Sequence, residues 1–150
     1  MKKVVRLCVF PVIFYFLAIG SLLASDNTSI VGKWKTIDDK TGEPKAIVEV
    51  FEKNGKYFGQ IKELFIKAGD NPDPICDKCA DDDPRKNQPK KGMVIIQDLV
   101  KSDNEYTGGT ILDTTDGKIW TCKMWIEDGK LMVRGSFLFI GRTQTWHKAE

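Results

Sequence analysis

The chain is poor in the groups that most soluble catalysis needs. It has a single histidine, His147, three residues from its end, so any Ser-His-Asp or Cys-His arrangement would have to use that one ring. No phosphate-binding glycine loop and no HExxH pattern occurs. Acidic side chains are plentiful, but Asp38, Asp39, Asp103, Asp113, Asp116 and Asp128 fall at turn positions, where turn chemistry wants them. Nothing selects two of them as a hydrolytic pair. No long segment of the body of the chain has helical spacing, and no internal repeat is evident. These absences argue against an enzyme and against any cofactor or resident metal.

One long apolar run does occur, at the very start. Lys2, Lys3 and Arg6 precede Leu7 to about Leu23, and Ala24-Ser25 lead into Asp26-Asn27-Thr28. A basic start, an apolar centre and small residues before a polar stretch make a secretory signal. The expected division is residues 1–24 as a removed signal and 25–150 as one domain, in the periplasm or secreted. The competing reading is a retained anchor, but a run of about 17 residues is near the lower limit for a span, and Pro11 interrupts it. After removal no stable membrane insertion is expected. Cys8 and the three basic residues leave together, so the excess of 23 Lys+Arg over 21 Asp+Glu becomes a charge of about −1. That excludes nucleic acid as a partner on electrostatic grounds. The local basic run Arg85–Lys91 directly follows Asp81-Asp82-Asp83 and compensates them.

The remainder is punctuated like an all-β protein. Asn54-Gly55, Asp116-Gly117 and Asp128-Gly129 are hairpin turns, since Asn or Asp followed by Gly accepts the positive φ that tight hairpins need. Eight strands are expected at 31–37, 46–53, 56–66, 92–100, 105–112, 117–127, 130–138 and 140–148. Short connections make sequence neighbours spatial neighbours, which predicts an eight-stranded antiparallel up-and-down β-barrel. Closure removes the two free edges that an open sheet would carry. A Greek-key sandwich is the alternative. Gly108-Gly109, within a strand, suits a bulge or sharp bend.

Alternation puts Trp120, Cys122, Met124 and Ile126 on one apolar face, and Leu131, Val133, Gly135 and Phe137 on another; both are assigned inward. Aromatic residues on strands can line an apolar pocket with a few polar handles, or can simply pack a dry core. The ligand-binding candidates are Trp34, Trp120, Met124, Leu131, Val133 and Phe137, for a small hydrophobic or amphipathic molecule.

The long connection from Lys67 to Lys91 holds four prolines and Cys76-Asp77-Lys78-Cys79. It is either a lid over one barrel end or a flexible insertion. In an exported chain Cys76 and Cys79 suit a local disulfide. A redox pair would want a helix N-terminus rather than an acidic loop, and a structural zinc site would need four ligands. Cys122, on an apolar strand face, suits a buried free thiol. A protein partner engaging residues 67–91, with a filled core, is the alternative to ligand binding.

Gly32-Lys33-Trp34 resembles the GxW that opens lipocalin and calycin barrels. In that superfamily the Trp plugs the closed end and an Arg near the last strand commonly packs over it. Arg142 is the matching residue, although antiparallel first and last strands would put Trp34 nearer Trp146. Over nearly the whole mature length the chain also resembles the small exported bacterial proteins grouped as domain of unknown function 2147. The matching stretches are Gly32–Asp39, Gly59-Gln60-Ile61, Cys76–Cys79, Gly108–Asp113, Asp116-Gly117-Lys118, Val133-Arg134-Gly135 and Gly141–Trp146. The resemblance implies a lipocalin-like barrel, periplasmic or secreted, and brings no activity or catalytic residues.

Overall fold

The computed structural model describes residues 29–150; the expected signal segment and Cys8 lie outside the described residues. The eight strands are β1 (Gly32–Ile37), β2 (Pro44–Lys53), β3 (Lys56–Leu64), β4 (Val94–Ser102), β5 (Glu105–Leu112), β6 (Ile119–Glu127), β7 (Lys130–Phe137) and β8 (Ile140–Lys148). They form a closed antiparallel barrel in sequence order. The seam is β1 against β8, where Trp34 faces Lys148 and Lys35 faces His147. The barrel expectation holds, and the sandwich alternative does not.

Two of the three expected hairpin turns follow the backbone chemistry expected of them: Asn54 and Gly55, and Asp128 and Gly129, all take positive φ. Asp116-Gly117 does not form a two-residue turn; it lies within the longer connection 113–118, where Gly117 takes positive φ and Asp116 does not. The β5 bend is also present: the β5–β6 register shifts between Tyr106 and Gly109, and Gly108 has φ 79°. Gly109 shows why a second glycine is needed. A Cβ there would lie 2.2 Å from the Gln97 carbonyl oxygen and 2.7 Å from the Leu99 nitrogen. The β4 backbone crosses too close for any side chain.

The barrel has two unlike ends. At one end the chain enters: Ile30 is fully buried and its carbonyl accepts a 2.8 Å hydrogen bond from Trp34 Nε1. Trp34 and Trp146 are buried beside it, so this end is plugged. The opposite end carries the connections 38–43, 65–93, 113–118 and 138–139. There the long loop is neither a lid nor a loose insertion. Cys76–Cys79 form a disulfide and both residues are buried. Ile75 bridges Pro89, and backbone hydrogen bonds join Cys76 to Gln88, Asn87 to Cys76 and Lys90 to Pro74.

The loop is pressed on the β5–β6 turn so closely that a Cβ on Gly117 would strike the Lys78 carbonyl. Inside the loop, Arg85 and Asp83 form a nearly buried pair, with Arg85 also donating to the Val94 carbonyl. Ile95 and Leu112, which alternate with inward Ile96 and Ile111, are buried as well. The loop therefore packs on the β4–β5 side and leaves the β7–β8 side of the opening uncovered.

Two outcomes test this packing. Gly109→Ala should destabilise the barrel by about 2–3 kcal/mol in urea unfolding. The Asp83 carboxyl is held below its usual range, first by the hydrogen bonds from the Arg85 side chain. Its stabilising contribution is therefore present above the unfolded carboxylate pKa of about 4 and is lost as pH falls below it. Limited proteolysis should show cuts within 70–90 appearing under acid while the strands stay protected.

Candidate functional site: the barrel mouth

Directly paired residues of antiparallel strands share a face, so the registers order the interior of the β5–β8 wall into rows. At the open end Ile111 faces Trp120, and Phe137 faces Ile140. Trp120 meets Phe137 edge to face with ring centroids 6.0 Å apart. Below lie Gly109, Cys122, Gly135 and Arg142, and below those Tyr106, Met124, Val133 and Gln144. The lowest row holds Ile126, Leu131 and Trp146.

The lower rows are solid. Val48, Ile96, Leu99, Met124 and Leu131 have no accessible surface, so no water-sized space touches them. Cys122 is buried, and burial pushes its thiol up to about 12. It is held as a neutral, unreactive side chain.

The upper rows open up. Trp120, Ile111, Gly135 and Gln144 are half-buried. A Cβ on Gly135 would stand in ordinary van der Waals contact with Trp120 and Ile111, at 3.5–3.8 Å, so the Trp120 side chain packs across the glycine and the accessible inner surface is the rim above it. Phe137, assigned inward from its alternation, is on that face but 54% exposed: strand parity sets the side, whereas its place at the end of β7 sets the depth.

A polar group stands beside these residues at the mouth. Asp38 accepts hydrogen bonds from the Thr41 and Lys40 N–H groups, both at 2.9 Å, and these hold its carboxyl below the ordinary range. That turn presents Asp39. Asp39 Oδ2 accepts from Gln144 Nε2 at 2.8 Å and lies 3.2 Å from an Arg142 guanidinium nitrogen. Trp146 Nε1 donates to Gln144 Oε1 at 3.4 Å, tying the polar group to the floor. Arg142 is thus engaged by Asp39, away from Trp34, whose indole instead serves Ile30. The Arg142-over-Trp34 contact that the resemblance implied is not formed among the described residues.

The six sequence candidates divide between these zones. Trp120 and Phe137 stand at the mouth, whereas Trp34, Met124, Leu131 and Val133 are packed floor. Sequence reasoning passed over Ile111, Gly135, Asp39 and Gln144 as site residues, and it considered Arg142 only as a partner for Trp34. The inward assignment of Gly135 was the available signal, since a glycine among large inward residues lets an aromatic ring pack across it. The bonding of Cys76 to Cys79 withdraws both sulfurs from the zinc reading. A cleft of 680 Å³ lies outside the barrel, lined by residues including Lys33, Lys35, Lys62, Glu63 and Lys148.

A family model described as "Uncharacterized protein conserved in bacteria" (DUF2147) matches residues 32–148. The chain belongs to that family. No curated protein matches it. Among solved structures it is similar to protein HP1028 from the human pathogen Helicobacter pylori, described as belonging to the lipocalin family. The two share 23% identity, with a TM-score of 0.67, over 81% of this chain and 84% of that one. This likeness speaks to the fold: this DUF2147 protein is a lipocalin-like barrel.

The Cys122 environment makes a direct prediction. In folded protein lacking Cys8, with the disulfide intact, a thiol reagent at mildly alkaline pH should label nothing until the barrel unfolds. Its labelling rate should then track unfolding.

Proposed function

We propose that this protein is an exported carrier or receptor for a small amphipathic molecule, bound in the mouth of the barrel without chemical change. The observation that carries the reading is the accessible apolar group Ile111–Trp120–Phe137 at the open end of the barrel, with the polar Asp39–Arg142–Gln144 group beside it. An apolar surface with a few fixed polar handles is what a small-molecule site requires. The packed rows beneath supply a rigid base, so the ligand sits on the rim of the mouth rather than deep in the barrel. The apolar part would lie on Trp120 and Phe137. A polar or acidic end would reach Arg142 and Gln144 and compete with Asp39 for them. The disulfide supports an oxidising location outside the cytoplasm.

A second reading has its own observation. The solid lower core, together with a 320 Å³ cleft bounded by Arg85, Gln88, Pro89, Lys91, Met93 and Gln97, favours a protein partner engaging the 67–91 segment.

Native mass spectrometry of protein taken from a bacterial periplasm, repeated on its organic extract, would identify any retained molecule. In titrations with dodecanoate, followed by displacement of an anilinonaphthalene sulfonate, Trp120→Ala and Phe137→Ala should each weaken binding about tenfold at retained fold. Gly135→Leu should weaken binding by displacing the Trp120 ring that packs across the glycine. Unchanged affinity in all three variants would remove the mouth as the site. A clean apo mass together with no dodecanoate binding would favour the loop reading.

A further inference from the structure

We propose that the β7–β8 turn is a membrane-docking tip that inserts into the interface of an anionic lipid surface. Phe137, Leu138, Phe139 and Ile140 are consecutive and all exposed, Leu138 at 81% and Phe139 completely. Ile119 on the neighbouring strand is exposed beside them. Scattered exposed apolar residues are ordinary, but a contiguous projecting set marks an interaction site.

The backbone gives an independent observation. Phe137 pairs with Ile140, so Leu138-Phe139 is a two-residue hairpin turn. Leu138 has φ 52°, while Phe139 is not among the positive-φ residues. In such a turn the first position is normally glycine. Among the described residues, the other non-glycine positions with positive φ are Asn54, Asn87, Asp98, Asp103 and Asp128, the types that tolerate this region. Leucine here is a poor choice for the backbone, so its side chain accounts for its presence. Strain held at an exposed apolar position points to function.

The surroundings favour a lipid surface over a second copy of the chain. The group projects from a turn instead of lining a groove. Its apolar side chains could cover on the order of 500 Å², short of the roughly 800 Å² per partner that a stable dimer buries. The tip is flanked by arginine and by no carboxylate of its own hairpin: residues 130–148 hold no Asp or Glu. Arg134 lies against Gly141, directly behind the tip, and Arg142 is exposed next to it with its guanidinium shared with Asp39 of the β1–β2 turn; Lys130 and Lys148 stand at the plugged end, away from the tip. An apolar point backed by a cationic side chain is what interfacial binding to anionic lipid uses. Docking would be peripheral, through the tip alone, and it does not depend on the ligand reading.

The test is flotation of the processed protein, its mass confirming loss of the signal segment. The vesicles are phosphatidylcholine alone, or phosphatidylcholine with phosphatidylglycerol. Binding is expected with phosphatidylglycerol, weakening in high salt. Leu138→Asn with Phe139→Ser should reduce it about tenfold or more. Asn suits the turn better than Leu, so the double variant should melt no lower than the parent and should keep its dodecanoate affinity. Four results would overturn the proposal: no binding to phosphatidylglycerol vesicles, equal binding by the variant, a lowered melting temperature in the variant that accounts for its lost binding, or a dimer in sedimentation that the substitutions abolish without any vesicle binding.

Discussion

Everything described above depends on the closure of β1 on β8. The seam is short, with Trp34 opposite Lys148 and Lys35 opposite His147, extended by the Ala149 N–H donating to the Lys33 carbonyl at 2.9 Å. A meander left open here would expose two strand edges and the inner face of β1. Trp34 is the residue that makes closure favourable. Its ring fills the plugged end and its Nε1–H is satisfied by the Ile30 carbonyl, so a large aromatic is buried without an orphaned donor. Once the seam is closed, every inward residue has a fixed neighbour across the barrel. The β1–β2 turn is then brought beside β8, which is what places Asp39 against Gln144 and Arg142.

Filling and opening are distributed along the barrel axis. Branched and sulfur-containing side chains pack the plugged half so tightly that Val48, Ile96, Leu99, Met124 and Leu131 touch no solvent. Toward the other end the inward positions include two glycines, Gly109 and Gly135, and two large aromatics, Trp120 and Phe137. Gly109 is small because the β4 backbone crosses it. Gly135 lies under Trp120, whose side chain packs across it. The disulfide-tied loop takes up one side of this end and leaves the β7–β8 side free.

The architecture was legible in the sequence because turn chemistry and strand alternation are local. Asn54-Gly55 and Asp128-Gly129 announced their hairpins, and Gly108-Gly109 announced the β5 bulge. Cys76 and Cys79 announced a disulfide through spacing and setting. Depth was not legible. Alternation assigned Phe137 to the inner face but said nothing of its position at the rim, and Met124 and Leu131 read as pocket walls although they form a floor. Nor was the partnership of Asp39 with Gln144, 105 residues apart, available before the barrel was closed. The Leu138 turn was hidden for a related reason: Leu-Phe carries no turn signature, and only the two flanking strands force the leucine into a left-handed conformation.

The central claim is that the barrel has a packed floor and a working mouth. The most direct test is a heteronuclear NMR map of the processed protein with and without saturating dodecanoate. The account predicts shifts confined to Ile111, Trp120, Gly135, Phe137, Arg142 and Gln144, with the Met124 and Leu131 methyl signals unmoved. Large changes at Met124 and Leu131 would mean that the ligand enters the barrel interior, and changes confined to 67–91 would mean that the loop is the site. Either result would contradict the account.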